Sequence, residues 1–135
     1  MEIDKLTIDM IVRKLSKRFD SNIGAAYLVG EKDSNYSEIE DVSFPEQKSR
    51  ENCVEIEEDE QVRELENLHS EKVFDPAHNK FYNKYAVLGV VQYNADYDVS
   101  KGTLDKNIFD SIIFMPCIKL IVNRRGEYSL LRNEE

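Results

Sequence analysis

Asp96 and Asp98, with Tyr97 between them, are the best-spaced pair of side chains for chemistry in this sequence. On an extended strand alternate residues share a face, so both carboxylates would point the same way. Two such carboxylates can hold a hard divalent cation such as Mg²⁺, which takes oxygen ligands and keeps several waters. With Glu127 from the terminal hairpin, and Lys119 stabilising charge, the reaction they suggest is metal-dependent hydrolysis of a phosphodiester. Such a pair also arises freely among 27 Asp+Glu in 135 residues, and a solvated strand end is its plainer reading.

Other reaction types find less support. The two histidines, His69 and His78, lie in no HExxH pattern and near no GxSxG. No Ser or Cys has a base and an orienting acid at informative spacing. Cys53 and Cys117 stand far apart, without the CxxC or Cys/His spacing of structural zinc sites, and receive no role. Gly30 follows an apolar run but has no second glycine or GK[ST] to cradle a phosphate. No cofactor is expected.

Charge is the more informative feature. The chain carries 18 Lys+Arg against 27 Asp+Glu, a formal net charge of −9. Residues 31–72 hold 15 acids and 5 bases, so this third contains the whole excess. Within it Glu51, Glu55, Glu57, Glu58, Asp59, Glu60, Glu64 and Glu66 face a single base, Arg63. Self-repulsion destabilises a compact form unless such groups meet water or a cationic partner. They therefore read either as a solvated face or as a surface that docks a basic protein. Carboxylates can also stand in for phosphates and occupy the cationic channel of a nucleic-acid-handling enzyme. Direct nucleic-acid binding is disfavoured at this net charge, even with Arg13, Lys14, Lys17 and Arg18 clustered on one helix.

The elements that would position these groups follow from periodicity. Apolar residues at 3, 6, 10, 11, 15 and 19, with no Gly or Pro, predict a helix over residues 3–19. Residues 23–29 read as a buried strand, 36–44 as an irregular or edge strand, and 45–52 as a loop. From Cys53 to Glu57 the residues alternate, with Val54 and Ile56 on one face and Glu55 and Glu57 on the other. A helix over about 58–71 follows. Its inner side is Val62, Leu65, Leu68 and His69, and Glu58, Glu60, Glu64 and Glu66 take the wet side.

Asp75-Pro76 predicts a further helix to about residue 83, since Asp caps and Pro is tolerated in the first turn. Residues 85–93 fit helix or central strand, and Val87, Gly89, Val90 and Val91 favour strand. Alternation from Tyr93 to Val99 extends it. Thr103 caps a short helix from 104 to about 111. Residues 112–122 are the most hydrophobic stretch, with Pro116 requiring a bulge or an edge. A hairpin through 123–126 leads into 127–131.

The expected fold is α+β, a single domain with a three- to five-stranded mainly antiparallel sheet and helices packed on one face. Acid in the first residues and the lack of a long apolar run point to a cytoplasmic protein outside the membrane. The expected function is a small acidic binding or inhibitory protein that docks a basic partner through residues 51–66. Hydrolysis at Asp96, Asp98 and Glu127, or a place as a non-catalytic subunit in a larger assembly, are the alternatives. Tyr36, Phe44 and Phe74 border the acidic region as possible anchors.

Overall fold

The computed structural model describes residues 3–20, 22–31, 39–50, 53–101, 107–114, 116 and 118–131. Helix α1 (Lys5–Phe19) begins at Asp4, whose carboxylate accepts from both the backbone N–H and the hydroxyl of Thr7 at 2.9 Å. Its buried stripe is Thr7, Ile8, Ile11, Val12 and Leu15, whereas Leu6 is 82% exposed. Asp20 turns the chain at positive φ, and β1 (Ile23–Glu31) follows. A Cβ at Gly24 would lie 2.4 Å from the ring of Phe19, so a larger residue there would have to displace that ring.

The chain continues through β2 (Asp41–Ser43), β3 (Lys48–Arg50), β4 (Cys53–Glu55) and helix α2 (Glu58–Leu68). Next come β5 (Lys72–Asp75), β6 (Lys80–Asn83), β7 (Tyr85–Asn94), β8 (Ile118–Val122) and β9 (Tyr128–Leu131). Five strands form one sheet in the order β2-β1-β7-β8-β9. Every neighbouring pair is antiparallel except β7 and β8. β3 with β4, and β5 with β6, make two separate hairpins. The fold is the expected α+β, mainly antiparallel architecture.

Alternation in the central strands divides the core. Ala26, Leu28, Val91, Tyr93, Ile118, Leu120 and Val122 pack with the α1 stripe. Ala25, Tyr27, Val29, Val90 and Ile121 form a second cluster with Val54, Ile56, Tyr97, Ile108 and Phe109, against which Leu65 and Leu68 of α2 pack. Both helices thus bury apolar surface on the sheet, each within its own cluster. Gly89 permits the parallel junction, since a Cβ there would come within 2.3 Å of the Ile118 carbonyl oxygen.

Several local expectations change. The helix expected from Asp75 is the β5–β6 hairpin: Asp75 Oδ1 accepts from Ala77 N–H at 3.0 Å, and Asn79 takes positive φ to bring the chain back. Aspartate nucleates a turn by the same bond it would use to cap a helix, and the aromatic pair Phe74 and Phe81 decides for strands. The loop expected at 45–52 contains β3. Strand β7 ends at Asn94, and the chain turns before Tyr97. Within the terminal apolar run the described strand is β8, which follows Pro116 and lies between β7 and β9 and not at an edge. Of the short helix expected over 104–111, residues 102–106 lie outside the described residues, and Phe109–Ser111 form a single 3₁₀ turn. Tyr36 and Cys117 also lie outside them, and Cys53 is a free thiol.

Candidate functional site

Helix α2 sits where an amide anchors it. Gln61 is its most buried residue: Nε2 donates to the carbonyls of Ile56 at 3.0 Å and Ser111 at 2.9 Å, and Oε1 accepts from Ile113 N–H at 2.9 Å. With Gln61, Leu65 and Leu68 turned inward, Val62 is 40% exposed, contrary to its expected place in the core. Helical spacing sets Glu58 and Asp59 one turn before Val62, and Glu66 one turn after. All three acids are exposed, so an apolar residue is flanked by carboxylates along one stripe.

The other acids of the segment divide. Glu55 and Glu57 are exposed, and with Glu46, Gln47, Lys48 and Glu60 they line a hollow of about 300 Å³. Glu60 is held by Arg63, with contacts of 3.1 and 3.2 Å from one guanidinium nitrogen. Glu64, expected on the wet side, is partly buried and accepts a hydrogen bond from the Ser43 hydroxyl. Glu51 lies outside the described residues. Glu57 is the N-cap, and Glu58, Asp59 and Glu60 fill the first turn, where negative charge complements the helix dipole.

Two of the four clustered basic residues of α1 have contacts outside the acidic segment 51–66. Lys14 pairs with Asp41 of β2, and the Arg18 guanidinium lies 5.2 Å above the centre of the Phe44 ring. Among the described residues no ion pair joins α1 to α2. Phe44, a possible anchor, packs edge-on to Phe19 at 5.7 Å as part of the core. Phe74 is 45% exposed and contacts Phe81 at a ring separation of 5.1 Å.

Asp96, Asp98 and Glu127 come near one another, but in turns and with separate commitments. Asp96 pairs with Arg124 at 3.0 Å. Asp98 accepts from the N–H and hydroxyl of Ser100. Glu127 receives bonds from Asn123 Nδ2 at 2.9 Å and Arg125 Nε at 2.8 Å, which hold its carboxyl below the ordinary carboxylate value. Lys119 lies within β8. Among the described residues no group of three or more His, Cys, Asp or Glu is arranged to hold a metal ion. His78 contacts Asp75 at 2.6 Å within the hairpin turn. No described helix is long and apolar enough to cross a membrane.

The feature that sequence reading passed over is a cleft of about 670 Å³ beside α2, lined by Leu65, His69, Lys72, Phe81, Tyr85 and Phe114 among others. Reading residues 76–83 as helix hid it, since only the hairpin makes this wall. The chain matches no protein-family model and no curated protein sequence.

Proposed function

We propose that this protein docks a basic surface of a partner protein through the acidic face of β4 and α2. Its partner on this reading is an enzyme whose cationic channel otherwise receives a nucleic-acid backbone, and occupancy by the acidic face inhibits it. The observation that carries the reading is the exposed stripe Glu58, Asp59, Val62 and Glu66. Carboxylates steer encounter and set register, while affinity needs a desolvated apolar anchor at their centre. Val62 supplies that anchor.

The test is association with labelled decalysine and with a panel of basic nucleases, read over a salt series. Neutralising Glu58→Gln, Asp59→Asn and Glu66→Gln together is expected to slow association about tenfold and flatten its salt dependence. Val62→Ser is expected to speed dissociation with little effect on association. Neutralisation is the cleaner change, because lysines in the first turn of α2 would oppose the helix dipole and confuse stability with binding. Equal association by the wild-type and neutralised proteins, or equal nuclease inhibition by both, overturns the reading.

A further inference from the structure

The cleft beside α2 has walls of a different character from the rest of the surface. Leu65 and His69 come from the end of α2 and the residue after it. Lys72, Lys80, Phe81 and Asn83 come from the β5–β6 hairpin, Tyr85 and Val87 from the start of β7, and Phe114 from the segment before β8. Strand register places Lys72 opposite Asn83 and Phe74 opposite Phe81, so Lys72, Phe81 and Asn83 share one face of the hairpin. The Lys72 ammonium donates to Asn83 Oδ1, which fixes its charge at the rim. Phe81 leaves 68% of its surface exposed, although it is aromatic and touches Phe74 at a ring separation of 5.1 Å.

Charge completes the description. In a chain with 27 acids, none lines this cleft among the described residues, whereas Lys72 and Lys80 do. The neighbouring Lys84 lies 5.1 Å from the centre of the Tyr85 ring and pairs with Glu71 at 3.8 Å. A hollow lined by lysine and by no acid favours anions over the rest of this acidic surface, and the exposed ring of Phe81 can stack on a flat ring. Its volume falls in the range of small-molecule sites and well above that of a single ion.

We propose that this cleft binds a small planar aromatic anion, with the ring against Phe81 and the anionic group at Lys72. The site is independent of the acidic face and stands or falls separately. A phosphate on a nucleoside and a carboxylate on an aromatic acid share this chemistry.

Anilinonaphthalene sulfonate, a fluorescent aromatic anion, tests it on the intact protein. The expected result is saturable binding at one site. Phe81→Ala should weaken it at least about fivefold, Lys72→Gln should weaken it and reduce its salt dependence, and Leu6→Ala, at an exposed apolar residue elsewhere, should leave it unchanged. Circular dichroism and melting temperature confirm that each variant is folded. The neutral analogue N-phenylnaphthylamine should bind more weakly. Displacement of the dye by adenosine monophosphate identifies a phosphate head group, and displacement by indole acetate identifies a carboxylate. Displacement by neither, binding of the neutral analogue as tight as that of the sulfonate, or unchanged binding in folded Phe81→Ala overturns the proposal.

Discussion

The side-chain amide of Gln47 pairs with the backbone of Ala25 as a neighbouring strand would. Its Oε1 accepts from Ala25 N–H at 2.7 Å and its Nε2 donates to the Ala25 carbonyl at 2.8 Å. The register of β1 with β2, Tyr27 opposite Ser43, carries on to place Pro45 opposite Ala25. Proline has no N–H to give, so the ladder would stop there. Gln47 reaches back, also donating to the Pro45 carbonyl at 2.9 Å, and its amide supplies the donor that proline lacks together with an acceptor for Ala25 N–H. Gln47→Ala should therefore lower unfolding free energy by about 1–3 kcal/mol in urea titration, because Ala25 is buried and loses donor and acceptor together. No change in the urea midpoint would show that water replaces the amide without cost.

Asn123 does comparable work at the other end of the sheet. Fully buried, it donates to the Tyr97 carbonyl at 2.8 Å and to Glu127, and its Oδ1 accepts from the N–H groups of Arg125 and Glu127. These bonds define the turn between β8 and β9 and tie it to the turn after β7. Asn123→Ala should cost about 2–4 kcal/mol, and Asn123→Asp should recover only part, since the acid cannot donate to Tyr97. Thermal unfolding of the three proteins checks the order.

Tyr27 presents the opposite case. Its hydroxyl is buried and finds no hydrogen-bond partner among the described residues, while its ring lies 5.6 Å from Phe114 in an edge-to-face contact. Burial pushes its pKa above the ordinary 10.0, with the charge of Glu64 adding to the effect. Tyr27→Phe removes the stranded polar atom and keeps the ring, so it should raise stability by about 1 kcal/mol. A lower melting temperature in calorimetry would contradict this.

Acid should weaken the fold through two identified groups. Asp4 is held below its ordinary 3.8 by the backbone N–H and then the hydroxyl of Thr7, and Glu127 below its ordinary 4.5 by Asn123 and then Arg125. Near those pH values the unfolded chain takes up protons that the folded one refuses, so protonation favours unfolding. The contribution is whole above about pH 5 and is lost as pH falls through the lowered folded values. In urea midpoints measured from neutral pH downward, Asp4→Asn and Glu127→Gln should each flatten the acid limb. An unchanged limb would exclude these groups as its source.

What the sequence discloses about this fold depends on how many residues share in each decision. Helix α1 and strand β1 declare themselves because many residues agree on one period, and residues 85–93 become strand through the local weight of valine and glycine. The Asp75-Pro76 turn misleads because a cap and a turn use the same first bond, and only the distant partner strand distinguishes them. On α2 the inward side differs from the periodic expectation at Val62 and Glu64: three backbone groups from residues 56, 111 and 113 make Gln61 the better buried residue, and the Ser43 hydroxyl holds Glu64 partly buried. Those groups lie far apart in sequence, and periodicity carries no trace of them. The acidic segment was legible from charge counting, whereas the aromatic cleft depends on bringing together α2, the hairpin and Phe114.

The parallel pairing of β7 with β8 sets a schedule for biosynthesis. Residues 85–94 leave the ribosome well before residues 118–122, so one side of this apolar strand stays open to passing chains until its neighbour is synthesised. Translational pausing within that interval would lengthen the time a nascent chain is open to wrong pairing, and a product truncated between residues 94 and 118 would lack cover for that side.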